Sequence, residues 1–146
     1  MMSRIARDGA CSALTLRSSD LRQLEREARV AYPGECCGLI EGILANLYVA
    51  GLHPTRNLSD RADAFAIDPA EQFRLMRALR GTGRAIIGCY HSHPGGSPQP
   101  SSRDLEAANL EGFVWLIAAL RNDAFAFDAY VFASGRFEEL RCCVDD

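Results

Sequence analysis

The stretch from Ala85 to Pro94 limits the fold of this chain more than any other. It begins with the largely apolar run Ala85-Ile86-Ile87-Gly88-Cys89-Tyr90 and continues without a turn into His91-Ser92-His93-Pro94. A short apolar run of this length is typical of a strand that is buried on both faces of a sheet. The pattern therefore predicts a central β-strand that ends in two histidines.

Signals on either side of this strand predict a single α/β domain over residues 1–146. Ser18-Ser19-Asp20 supply capping side chains for a first helix, which should end at Tyr32-Pro33-Gly34. Asp68-Pro69 begin a second helix, Gly81 follows its end, and a third helix is expected near Ser101. Further strands are expected at residues 37–40, 47–50, 113–120, 124–132 and 136–144, and residues 57–65 read as a polar loop. No internal repeat or long linker divides the chain.

Composition excludes several classes of protein. The 146 residues are 48% hydrophobic and 24% charged, which is ordinary for a soluble globular domain. The net charge of -3 and the scattered basic residues argue against nucleic acid as a partner. We expect no membrane span, because no apolar run reaches about 18 residues. The first residues lack a signal-peptide core, so a cytoplasmic location is expected.

The six cysteines include no C-x-x-C pair, which argues against a zinc finger. In a cytoplasmic protein they are expected to be mainly buried free thiols.

His91 and His93 have the spacing of a metal site. Side chains two residues apart on a strand point the same way and lie about 6 to 7 Å apart, so both rings can reach one zinc ion. Asp104 should return to the same point from the first turn of the third helix. Two imidazoles and a carboxylate leave one position of a tetrahedral zinc open, and an open position is typical of catalytic sites.

Each of these features also has an ordinary structural interpretation. The histidine pair could be a polar strand face, and Ser101-x-x-Asp104 is an acceptable helix-capping box. A catalytic zinc also needs a proton acceptor, commonly a glutamate. Glu35 stands out because it opens an otherwise apolar strand after a turn, although a solvated glutamate at a strand edge would look the same.

Together, Glu35-Cys36-Cys37-Gly38, His91-Ser92-His93-Pro94 and Ser101-x-x-Asp104 resemble the JAMM metalloproteases, the MPN-domain family. That family combines a distant glutamate with H-[S/T]-H-P, six further residues, and then S-x-x-D, and this sequence matches each position. The resemblance implies a mixed, curved β-sheet flanked by helices, a fold similar to that of cytidine deaminases. It also implies one Zn²⁺ held by His91, His93 and Asp104 with a catalytic water.

The same resemblance implies roles for the other site residues and a class of substrate. Glu35 would act as general acid/base, and Ser101 would stabilise the oxyanion formed at an amide carbonyl. Ser92 should face away from the ligands and give support without direct chemistry. Little room follows Asp104 for an inserted segment, so the chain is most similar to short prokaryotic members. Some of those cleave after the C-terminal glycine of ubiquitin-like sulfur carriers, and a homodimer is left open.

Two other functions compete with a zinc peptidase or isopeptidase. Some relatives have lost metal ligands and act as non-catalytic MPN-type interaction modules, whereas all the ligands are kept here. A zinc deaminase would carry H-x-E and P-C-x-x-C signatures, which this sequence lacks.

Overall fold

The computed structural model describes residues 13–146. These residues form seven strands and three helices. In chain order they are β1 (Ala13–Arg17), α1 (Ser18–Ala31), β2 (Cys37–Ile43), β3 (Tyr48–Thr55), α2 (Pro69–Ala78), β4 (Ala85–Pro94), α3 (Ser102–Ala107), β5 (Val114–Arg121), β6 (Ala124–Ala133) and β7 (Arg136–Asp145). The predicted helices and strands are therefore present, with β2 and β3 longer than expected.

The seven strands form one mixed sheet that closes into a barrel. Its strand order is β1-β3-β2-β4-β5-β6-β7, and β1 completes the ring by pairing with both β3 and β7. The pairings of β1 and the β4–β5 pairing are parallel, and the other pairings are antiparallel. The mixed, curved sheet was predicted, but its closure was not. The five residues of β1 meet their partners only through contacts distant in sequence, so no local pattern marks them.

Strand β4 lies between β2 and β5 and is buried on both faces, as predicted. Tyr90 packs into a large apolar cluster with Leu116 of β5 and residues of α1, whereas Cys89 packs with Trp115 and Ile117 in a second cluster. Alternate residues of β4 and β5 thus pack into two separate cores, because successive side chains on a strand point to opposite faces. This arrangement holds the end of β4 rigidly.

The start of α1 matches the predicted cap only in part, since Asp20 takes part in capping but Ser18 does not. Arg17 occupies the N-cap position, and its backbone N–H donates to Asp20 Oδ2 at 2.9 Å. Ser18 instead donates its hydroxyl to Asp146, at 2.7 Å. Asp20 therefore caps from inside the helix, and Ser18 takes no part because the extended backbone of β1 runs directly into the helix.

The cysteines follow the prediction only in part. Cys36, Cys37 and Cys89 are buried, whereas Cys143 is exposed near the end of β7. Cys11 lies outside the described residues. No helix within residues 13–146 is both long enough and apolar enough to cross a membrane.

Candidate metal centre and catalytic site

The two histidines at the end of β4 point to the same place. The Nε2 atoms of His91 and His93 lie 3.0 Å apart. His91 is fully buried, and the side chain of His93 is 14% exposed at the edge of a cleft. The alternation of side chains along a strand explains the arrangement, since Ser92 between them faces the other way.

Asp104 reaches the histidines from the first turn of α3. Its Oδ1 lies 3.1 Å from His91 Nε2, and its Oδ2 lies 3.2 Å from His93 Nε2. The backbone N–H of Ser101 also donates to Oδ2, and the N–H of Asp104 donates to Ser101 Oγ. The capping box and the histidine contacts therefore coexist, because one carboxylate serves both.

The three side chains fit a zinc ion. Tetrahedral ligands at about 2.0 to 2.1 Å from zinc are separated by roughly 3.3 Å, close to the spacings of the donor atoms here. Burial opposes ionisation of Asp104, but hydrogen bonds from both histidines outweigh it and hold the pKa of this carboxyl well below its ordinary value. Burial lowers the pKa of His91, which favours the neutral ring that ligates metals. Within the described chain, these are the residues grouped closely enough to hold an ion.

The second nitrogens of the two rings have different surroundings. His93 Nδ1 lies 2.9 Å from the carbonyl oxygen of Ser97, which fixes the ring with Nε2 toward Asp104. His91 Nδ1 is buried and, within residues 13–146, has no hydrogen-bond partner. The ring of Phe65 stacks on His91 instead, with centroids 4.2 Å apart.

Glu35 precedes β2 and is only 8% exposed, so the interpretation as a solvated edge residue is wrong. Burial raises the pKa of its carboxyl to about 7. The next residue, Cys36, is clamped to β4 because its N–H donates to Ser92 Oγ at 2.9 Å and its carbonyl accepts from the Ser92 N–H at 3.1 Å. Ser92 thus provides the predicted support, by joining the Glu35 segment to the strand of the histidines.

One cleft of about 570 Å³ brings these groups together. Glu35, His93 and Ser101 all line it. Ser101 is exposed, and its Oγ already accepts a hydrogen bond from Asp104, so its own O–H remains able to donate into the cleft. The cleft can therefore place an amide carbonyl near a carboxyl group, a hydroxyl donor and a cluster of side chains able to hold a metal.

The loop of residues 57–67 contributes contacts that the sequence pattern did not reveal. Phe65 stacks on the ring of His91. The side chain of Asn57 donates to the carbonyl of Glu35 at 3.0 Å. Asp63 pairs with Arg103, the residue before Asp104. The sequence indicated only a polar loop here. Periodicity carries no signal in such a segment, and the single aromatic residue near its end was the only clue.

Known proteins resemble this chain in sequence. The family model described as prokaryotic homologs of the JAB domain matches residues 17–130. The desampylase of Haloferax volcanii is 31% identical over 134 residues, covering 91% of this chain and 94% of that protein. The CysO-cysteine peptidase of Mycobacterium tuberculosis is 23% identical over 118 residues, or 81% of each chain.

A solved structure has a similar fold. The solution structure of protein DSY2949 from Desulfitobacterium hafniense superimposes with a TM-score of 0.82 at 26% identity, covering 91% of this chain and 93% of that one. The similarity thus extends well beyond the short motifs to most of the described fold. The resemblance seen in the sequence is confirmed: this chain belongs to the prokaryotic JAB family of the JAMM/MPN proteins.

Proposed function

We propose that this protein is a zinc-dependent peptidase or isopeptidase that hydrolyses an amide bond. The observation that carries the proposal is the convergence of two imidazoles and an ionised carboxylate on one point, beside a buried glutamate with a pKa of about 7. Membership of a family with peptidase relatives supports a hydrolase of this type.

The proposed roles follow from the chemistry of each group. His91, His93 and Asp104 would hold one zinc ion, which when bound supplies Lewis acidity and lowers the pKa of water. Glu35 would accept a proton from the attacking water and pass it to the leaving amine. A carboxyl with a pKa near 7 exchanges protons readily in both directions at neutral pH. Ser101 would donate its O–H to the oxyanion as the carbonyl becomes tetrahedral.

We infer the substrate class from the named relatives. One is called a desampylase and another a CysO-cysteine peptidase. A bond after the C-terminal glycine of a ubiquitin-like or sulfur-carrier protein is therefore the proposed target. The short connection between α3 and β5, from Ala107 to Val114, supports a compact member without an inserted substrate-gripping segment. A single domain and a cytoplasmic location stay predictions, and a homodimer is still left open.

The test is hydrolysis of fusions between a carrier protein and a C-terminal peptide. Wild-type protein with one equivalent of zinc should cleave after the carrier's last glycine, and chelator should abolish cleavage. Glu35→Gln should keep stoichiometric zinc but lose at least about 100-fold in kcat, since it removes the proton acceptor. Glu106→Gln, an exposed change on α3, is the matched control and should cleave normally.

Two results would contradict the proposed mechanism or the proposed function. Undiminished cleavage by Glu35→Gln would remove this residue from the mechanism. Failure of the wild-type protein to bind zinc under metal-replete conditions would favour an interaction module instead of an enzyme.

Ser101 needs a test that separates catalysis from capping. Loss of the cap in Ser101→Ala should cost about 1 kcal/mol of stability, whereas Ser101→Gly should cost only a few tenths. Both variants lack the hydroxyl, so both should lose about 100-fold or more in kcat. If kcat falls only in the less stable variant, Ser101→Ala, and not in Ser101→Gly, the oxyanion role is excluded.

A further inference from the structure

Phe65 covers one face of the His91 ring. The two ring centroids are 4.2 Å apart and their planes differ by 19°, which is a parallel stack. Trp115 meets the same imidazole edge-on, with centroids 5.8 Å apart. His91 is thus enclosed by aromatic rings on a strand whose backbone is already fixed.

This enclosure takes the place of a hydrogen bond. A metal-binding histidine ordinarily donates its second ring N–H to an oxygen, which fixes the orientation of the ring. His93 has such a partner in the carbonyl of Ser97. For His91 the described chain provides none, and its Nδ1 is buried. Rotation of the His91 ring is therefore restrained by the flat face of Phe65.

Asn57 holds Phe65 in its place. The side-chain amide of Asn57 donates to the carbonyl of Ala64 at 3.0 Å, and its Oδ1 accepts from the N–H of Ala66 at 2.9 Å. Phe65 lies between these two anchored residues. The same Asn57 amide also donates to the carbonyl of Glu35 at 3.0 Å. One side chain thus joins the loop that carries Phe65 to the segment that carries Glu35.

We propose that Phe65 is a positioning residue for the metal ligand His91, and that Asn57 holds Phe65 and Glu35 in a common frame. The inference rests on the proposed zinc site and adds to it a function for the loop of residues 57–67. Stacking keeps His91 Nε2 directed at His93 and Asp104. The apolar cluster behind the ring therefore need not supply a hydrogen-bond partner. Loss of the stack should weaken metal binding even when the barrel stays folded.

The zinc dissociation constant of the purified protein, measured by competition with a chromophoric chelator, tests this inference. Phe65→Leu should weaken zinc binding about 10- to 100-fold, the range found when outer contacts of a metal ligand are lost. Phe65→Tyr keeps an aromatic face and should stay within about threefold of wild type. The d–d spectrum of bound Co²⁺ should change in Phe65→Leu, because the angle of one ligand is no longer fixed.

Phe137→Leu is the matched control. Phe137 packs against Trp115 in the same cluster, with centroids 5.1 Å apart, but shares no ring contact with His91 among the described aromatic residues. This variant should lower stability and leave the zinc constant unchanged. Melting of each zinc-free variant shows whether it is folded.

The outcomes separate the two proposals. If folded Phe65→Leu binds zinc as tightly as wild type, or if Phe137→Leu weakens zinc equally, the role of Phe65 is refuted while the zinc site stands. If wild-type protein binds no zinc, the proposed function itself fails.

Discussion

At the scale of single residues, the site reuses a few side chains for more than one purpose. Asp104 accepts from the Ser101 N–H as part of a helix cap and contacts both histidines. Ser92 supports Glu35 through Cys36 while its neighbours in sequence face the metal site. Local patterns predicted the cap, the histidine spacing and the direction of Ser92. The burial of Glu35 could not be predicted, because it depends on chain segments distant in sequence.

The buried carboxyl of Glu35 makes the metal-free protein sensitive to pH. Its pKa of about 7 in the folded state is raised above the ordinary 4.5, so the folded state binds this proton more tightly than the unfolded state. The protonated Glu35 carboxyl therefore makes its full contribution to stability below about pH 4.5, and this contribution is lost as the pH rises to about 7. The difference in free energy of unfolding between Glu35→Gln and wild type should therefore be larger at pH 8 than at pH 4.5, in favour of the variant, by roughly 2–3 kcal/mol.

Urea denaturation of chelator-treated protein at the two pH values measures this difference. The exposed change Glu106→Gln is the control. If both variants show the same change in stability between the two pH values, burial of Glu35 is not the cause of that change.

At the scale of secondary-structure elements, β4 organises the site. It is hydrogen-bonded to β2 on one side and β5 on the other, so the loop before β2 and the end of β4 are held together. Gly88 lies opposite Val114 in the parallel pairing with β5. A Cβ added at Gly88 would collide with the Val114 carbonyl oxygen. The glycine within the apolar run is therefore needed for close approach of the strands.

Gly88→Ala should lower the free energy of unfolding by about 1–3 kcal/mol, because the strands must separate to admit a methyl group. Gly51→Ala is the control on β3, where an added Cβ would meet no atom closer than 3.8 Å. It should change stability by less than about 0.5 kcal/mol or stabilise slightly. Urea titrations measure both, and an equal loss in the two variants would exclude the close approach as the reason.

At the scale of the whole molecule, the barrel joins segments that are far apart in the chain. Glu35, the end of β4 and the start of α3 meet at one cleft although they span about half of the sequence. Zinc at this point would tie β4 to α3. Since an ion that binds only the folded state stabilises it by mass action, free zinc at 100 times Kd should add about 2.7 kcal/mol to the stability.

Unfolding in zinc buffers of increasing free concentration checks this expectation. His93→Ala removes one ligand and should show almost no dependence on zinc over the same range. A similar increase in that variant would place the stabilising ion elsewhere on the protein.

Local sequence patterns predict β4, the starts of α2 and α3, and the spacing of His91, His93 and Asp104. These features depend on residues close together in the chain, where alternation of side chains and helix capping act directly. Long-range packing is responsible for the closure of the barrel by β1, the burial that raises the pKa of Glu35, and the contacts of Asn57 and Phe65 with the site. Each of these arises where distant segments pack together and exclude water, which no local pattern records.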